Sequence, residues 1–282
     1  MPFPHTTFRP AISAVGLEDK PGMIGALKWQ IRSWQQAGRH EWLTRAATFS
    51  WLQLYNVRDF LTIGRVGDSL RDGSFPDDVN AAVDEVCEGR LGAGIRPMQA
   101  PFELASLMRE VSDRRPKTVL EIGTARGGTL FLLCRFSAPD AKIISVDLPY
   151  GRNGGGYPKW KESHYRRFCG EQQELNLLRA DSHSKETVDK VDRIVGGDGI
   201  DFIMIDADHS YEGVKQDYMY YLPLLAPGGV IALHDVLPTD DPSIDVNRFW
   251  VELENDTSVQ TKTIVADPEQ GRYGIGLVYP VA

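Results

Sequence analysis

From Lys117 onward, short β-branched apolar runs alternate with amphipathic stretches of helical period. The runs fall at 118–122, 142–146, 176–179, 202–205 and 230–233, each short enough for a strand buried on both faces. One intervening helix carries Val214, Tyr218, Tyr221, Leu222 and Leu225 behind Ser210 as N-cap, and another carries Val246, Phe249, Trp250 and Leu253 behind Asp245. Strand and helix in strict alternation predict βαβ units around a parallel sheet. The end of the chain differs. Two strand-like runs, 259–265 and 273–279, are joined by Asp267-Pro268-Glu269-Gln270-Gly271, too short for a helical crossover. A terminal hairpin follows, and one of its strands must run antiparallel.

The first third reads as helical. Ile24, Leu27, Ile31 and Trp34 recur at helical spacing, as do Val79, Ala82, Val83 and Val86 behind Asp77-Asp78. Residues 42–63 are apolar on more than one side, with Phe49, Trp51, Leu54 and Phe60 among them, so they need a cover. The main domain, a second copy of the chain or a substrate would each serve. A glycine-rich stretch at 88–97 marks a boundary, giving a helical region at 1–96 and an α/β domain at 97–282. A helix is predicted from Gln99, with Leu104, Leu107, Met108 and Val111 on one face.

Composition narrows the class. Over 282 residues, 42% hydrophobic and 25% charged residues with 27 Gly and 17 Pro exclude collagen-like and largely disordered chains. The formal charge of −8 argues against a nucleic-acid partner. It is unevenly spread: residues 1–98 are neutral, 99–180 carry 9 acidic and 13 basic side chains, and 181–256 carry 17 acidic and 5 basic. Three scattered cysteines and no Cys-x-x-Cys spacing point to neither a disulfide framework nor a zinc site. No apolar run approaches the ~18 residues of a membrane span, and the prolines at 2, 4 and 10 break any leader-like core. A cytoplasmic protein with no membrane partner is the expectation.

Chemistry gathers at the carboxyl ends of the predicted strands, where open α/β sheets bind their ligands. The first strand runs through Glu121 into Gly123-Thr124-Ala125-Arg126-Gly127-Gly128 and then a helix. A dinucleotide fingerprint would need glycine at 125, which is alanine. Glu121, just before the first glycine, suits an ammonium group better than a pyrophosphate. Asp147 ends the second strand, where a carboxylate can accept from both ribose hydroxyls, and Asp181-Ser182 after the third could meet an adenine edge. Asp206-Ala207-Asp208-His209 ends the fourth and His234-Asp235 the fifth. A basic stretch from Gly151 to Arg167, with Tyr157 and Trp160 interleaved, reads equally as a lid over a ligand or as a solvated helix.

Five motifs in order (Leu-Glu-Ile-Gly-Thr-Ala-Arg-Gly-Gly, Ser-Val-Asp-Leu-Pro, Leu-Arg-Ala-Asp-Ser, Ile-Asp-Ala-Asp-His-Ser-Tyr-Glu-Gly-Val-Lys, and Pro-Gly-Gly-Val-Ile-Ala-Leu-His-Asp-Val) make residues 97–282 resemble class I S-adenosylmethionine-dependent methyltransferases. The nearest resemblance is to the branch described as cephalosporin hydroxylase-like and macrocin O-methyltransferase-like. It implies a Rossmann-like, doubly wound sheet, mostly parallel, whose last strand is inserted antiparallel. It implies S-adenosylmethionine as cofactor, with Glu121, Gly123, Thr124 and Gly127 on its methionine end, Asp147 on the ribose, and Asp181 with Ser182 on the adenine. By the same resemblance Asp206, His234 and Asp235 would hold Mg²⁺ or Mn²⁺, and His209 would be the base for transfer to a small-molecule hydroxyl, with Asp206 part of the catalytic set. His234 stands where relatives often carry an acid. A homo-oligomer is compatible with the helical region. The rivals are an NAD(P)-dependent oxidoreductase and a non-catalytic S-adenosylmethionine-binding module.

Overall fold

The computed structural model describes residues 57–149 and 156–281, all within one compact unit, Tyr55–Ala282. The helical pattern at 24–34, most of the apolar stretch 42–63, and Arg152 lie outside the described residues. After a helical turn at 57–62 come α1 (Gly64–Asp72), α2 (Val79–Cys87) and α3 (Pro101–Arg114). Then follow β1 (Thr118–Ile122), α4 (Gly128–Phe136), β2 (Lys142–Val146), α5 (Glu162–Tyr165), β3 (Glu174–Leu178), α6 (Lys185–Val195), β4 (Ile200–Ile205) and α7 (Tyr211–Tyr221). The chain closes with β5 (Leu225–His234), α8 (Val246–Glu254), β6 (Val259–Ile264) and β7 (Ile275–Pro280).

The sheet order is β3-β2-β1-β4-β5-β7-β6. β1 to β5 pair in parallel, while β7 is antiparallel to both β5 and β6. The terminal hairpin is therefore present, and its second strand slots between β5 and its first. Side chains alternate across each strand. Val119, Ile143, Phe202 and Met204 enter one core with α1, α2, α3 and α4, whereas Leu120, Ile144, Ile203 and Ile231 enter the other with α6, α7 and α8. That two-sided burial explains why these strands read as continuous apolar runs, and it makes the sheet doubly wound. Residues 63–95 contribute Ile63, Val66, Val83, Val86 and Ile95 to the first of these cores.

Local signals hold at two of three helix starts. Asp78 accepts from the N–H groups of Asn80 and Ala81, and Ser210 accepts from Gly213 N–H. Asp245 makes no capping bond; its own N–H instead donates to the His209 carbonyl at 2.7 Å, tying the start of α8 to the site. Among the described residues no helix is long and apolar enough to cross a membrane.

Candidate active site

Strand order reverses between β1 and β4, and the crevice beyond their carboxyl ends is where such sheets hold ligands. Gly123 N–H donates to the Val146 carbonyl at 2.9 Å and Asp206 N–H to the Ile122 carbonyl at 2.8 Å, so the turn is clamped between β2 and β4. Gly123 has φ +95°, and a Cβ there would strike the Asp206 carbonyl. Gly127, at φ +91°, opens α4 and lies under the Tyr165 ring. These two positions require glycine for conformation and for close approach.

Beside the turn, Glu121 is fully buried, and neither carboxylate oxygen has a hydrogen-bond partner among the described residues. Burial pushes its acid well above the usual range. Thr124 and Ser145 share a hydroxyl contact of 2.5 Å close by. Asp147 accepts from Ala125 N–H at 3.0 Å and Tyr157 N–H at 3.2 Å, both on Oδ2. Its burial raises the carboxyl to about 6, against those two bonds. Beyond β3, exposed Asp181 caps His183 N–H at 2.9 Å, and the Ser182 carbonyl accepts from the Tyr221 hydroxyl at 3.0 Å.

The ends of β4 and β5 carry a second cluster. Asp206 Oδ1 lies 3.4 Å from His209 Nε2 and 3.3 Å from His234 Nδ1. Asp235 Oδ2 lies 3.4 Å from His209 Nδ1, and its Oδ1 is 3.3 Å from His234 Nδ1. His234 is buried, and none of its close approaches is aligned as a hydrogen bond. Asp235 adopts a left-handed backbone, φ 61°, uncommon for a residue with a Cβ. Burial alone would raise Asp206, but the His234 and His209 imidazoles outweigh it and hold the carboxyl far below its usual range. Burial likewise works against the imidazolium form of His209 and His234, and Asp206 and Asp235 raise both. Atoms of Asp206, His209 and Asp235 converge within 4.8 Å of one another, a donor set fit for a divalent cation.

The structure thus brings together Glu121, Gly123, Thr124, Gly127 and Asp147 at one mouth and Asp206, His209, His234 and Asp235 at its neighbour, with Asp181 and Ser182 on the β3 side. Asp208 stays outside: it is exposed and caps Ser210 N–H. Gln99 was not singled out by its sequence. Its Nε2 donates to Asp206 Oδ2 at 2.5 Å and its Oε1 accepts from the Thr129 hydroxyl at 3.4 Å. A neutral amide just ahead of a helix carries no motif, and only the fold reveals it. The basic stretch also changes character. Lys161 is buried and pairs with buried Asp59 at 2.6 Å, Arg126 of the glycine turn shares that carboxylate, and Arg167 pairs with Asp68 at 2.8 Å. Lys161 and Arg167 thus tie the β2–β3 connection to Asp59 and Asp68, and all three cations are committed to protein carboxylates.

Residues 120–236 match the family model described as a methyltransferase domain. The uncharacterized protein y4gI of Sinorhizobium fredii is 25% identical over 142 residues, 49% of this chain, and the match spans 15% of that relative's length. The O-methyltransferase TomG from Streptomyces achromogenes, solved in complex with SAM, superposes with TM-score 0.51 at 20% identity, covering 73% of this chain and 91% of its own. An O-methyltransferase from Bacillus cereus, solved with SAH, gives 0.52 at 19% identity, covering 77% and 97%. At these identities the structural likeness speaks for the fold.

Proposed function

We propose that the protein is an S-adenosylmethionine-dependent O-methyltransferase acting on a small-molecule hydroxyl, such as a sugar, glycoside or other secondary metabolite, a reading supported by the match of residues 120–236 to a methyltransferase-domain model. The observation that carries the proposal is the cluster of Asp206, His209, His234 and Asp235 beside the glycine turn, two imidazoles set against two carboxylates.

The cofactor side fits the proposed ligand. Glu121 is a buried carboxylate without a donor, suited to the methionine ammonium. Asp147 is a second buried acid whose ionised form would accept from ribose hydroxyls, and Asp181 with Ser182 would border the adenine. The cofactor supplies an activated methyl group on a sulfonium. The protein must align the acceptor oxygen for in-line attack and remove its proton. His209 would take that proton on one ring nitrogen while the carboxylate beside the other, Asp235 at Nδ1 or Asp206 at Nε2, orients the ring and stabilises the imidazolium that results.

A divalent cation, where bound, would polarise the acceptor hydroxyl. Asp206, His234 and Asp235 would hold it and leave His209 free as base. The convergence of Asp206, His209 and Asp235 supports a competing set in which His209 is a ligand instead. A mass-spectrometric screen of candidate acceptors for a one-methyl gain, run with Mg²⁺ and with chelator, tests activity, acceptor and cation together. Mn²⁺ affinity retained in His209→Ala supports the first ligand set, and its loss supports the second. Fluorescence quenching by NADH but not by S-adenosylmethionine would overturn the methyltransferase reading in favour of an oxidoreductase.

A further inference from the structure

Two of the three cysteines, 35 residues apart in sequence, meet in the fold: Cys169 Sγ lies 3.5 Å from Cys134 Sγ. We propose that Cys134 and Cys169 are a site of reversible oxidation, closing to an intramolecular disulfide that pins the β2–β3 connection to α4. Cys134 is buried near the end of α4, whereas Cys169 is partly exposed. Gln173 fixes their approach. Its Nε2 donates to the carbonyls of Cys134 and Ala138 at 2.8 and 2.9 Å, and its Oε1 accepts from Gly170 N–H at 3.0 Å. Side-chain rotation that brings the sulfurs to about 2.0 Å completes the bond.

The two thiols differ in the way oxidation requires. Cys169 Sγ donates to Cys134 Sγ at 3.5 Å and is the partly exposed member of the pair, open to an oxidant, while that contact together with burial raises the Cys134 thiol. Cys169 is therefore the attacking thiolate and Cys134 the resolving thiol. With a peroxide as oxidant, the Cys169 sulfur attacks one oxygen and the O–O bond breaks, giving a sulfenic acid and one water. The Cys134 sulfur then attacks the sulfenic sulfur, S–O breaks, and hydroxide leaves with the Cys134 proton as a second water. Cys87, buried elsewhere and pushed up to about 11, has no part in it.

The consequence falls on the cofactor crevice, and this part rests on the methyltransferase reading. The connection that ends at Cys169 carries Tyr157, whose N–H holds Asp147, and Tyr165, which covers Gly127 at the start of α4. A disulfide at its far end ties that cap to the helix that opens at the glycine turn, so cofactor exchange slows.

The test treats the full chain with hydrogen peroxide, quenches in acid, alkylates with N-ethylmaleimide and maps peptides by mass spectrometry. The expected product is a Cys134–Cys169 cross-linked peptide two hydrogens lighter, reversed by dithiothreitol, absent in Cys134→Ser and in Cys169→Ser, and retained in Cys87→Ser. Sulfinic acid at Cys169 without a cross-link, or pairing through Cys87, overturns the site. In a second arm, S-adenosylmethionine release from oxidised wild type should slow severalfold while Cys134→Ser is unchanged by peroxide. A cross-link that leaves release unaltered overturns the pinning. Failure of the reduced protein to bind S-adenosylmethionine at all would instead strike the functional reading, and the peptide map would still stand.

Discussion

The two halves of the sheet's carboxyl edge treat their acids in opposite ways. At β1 and β2, Glu121 and Asp147 are buried with backbone N–H donors or none, and burial drives both upward. At β4 and β5, Asp206 and Asp235 face His209 and His234, and the imidazoles hold Asp206 down. The first half leaves carboxylates uncompensated until a ligand brings donors and positive charge. The second half is compensated from within and can hold a proton between partners. On the proposed function, binding falls to the first pair of strand ends and chemistry to the second, and substitutions on either side should separate them.

The largest effect is expected on the chemistry. His209→Ala should lower turnover by about 10²–10⁴-fold, the usual worth of a positioned general base. Its S-adenosylmethionine affinity by isothermal calorimetry should stay within a few-fold of wild type. Equal loss of binding and turnover would erase the division. The mirror experiment is Asp147→Asn, where hydrogen bonds to a charged group, worth about 1.5–3 kcal/mol, should disappear. Affinity should fall by about 10–100-fold, while the residual bound enzyme turns over at nearly the wild-type rate.

Titration sharpens the same contrast. On the proposed function the ionised Asp147 would accept ribose hydroxyls, so affinity should weaken as pH falls through about 6, and Asp147→Asn should flatten that limb. Stability without ligand follows the sign of each shift. Asp147 is raised from 3.8 to about 6, so its contribution is fully present below 3.8 and lost as pH rises through about 6. Asp206 is lowered, so its contribution is present above 3.8 and lost as pH falls toward its lowered value. Melting temperatures of the ligand-free variants should therefore diverge between about pH 4 and about pH 7. Over that range Asp147→Asn gains on wild type as pH rises, whereas Asp206→Asn runs below wild type by a constant margin that shrinks only as pH falls below 3.8. A parallel response of the two would remove the electrostatic difference between the halves.

How much of this was legible in the chain depends on distance along it. Strands β1 and β2 begin and end at the predicted residues because their apolar runs are bounded by charge or glycine, and Asp206 and His209 sit three apart on one turn. The start of β5 at Leu225 was not legible: Pro227-Gly228-Gly229 reads as a breaker, yet Leu225 pairs with Ile200 ahead of a register shift. Asp59 with Lys161, Cys134 with Cys169, and Gln99 with Asp206 are contacts across 102, 35 and 107 residues. Periodicity reports which face is buried, and it is silent on which polar residue another element will bring to meet it.

Gln99 is the smallest and most discriminating test of the division. It touches both halves, donating to Asp206 and accepting from Thr129 in the first turn of α4. By occupying Asp206 Oδ2, it leaves Oδ1 to the two histidines, so it sets the rotamer of a carboxylate on which the proposed base depends. Gln99→Leu keeps the approximate volume and removes both bonds. Loss of one hydrogen bond to a charged acceptor, about 1.5 kcal/mol, should appear as a roughly tenfold fall in kcat. KM for S-adenosylmethionine should move little, since the Thr129 contact at 3.4 Å is long and weak. Gln99→Glu sets a second carboxylate against Asp206 and should shift the pH–rate profile as well as lower it, which a purely structural role would not do. A rise in KM with kcat intact would place Gln99 on the binding side and move the dividing line between the halves from the β1–β4 boundary to Asp206 itself.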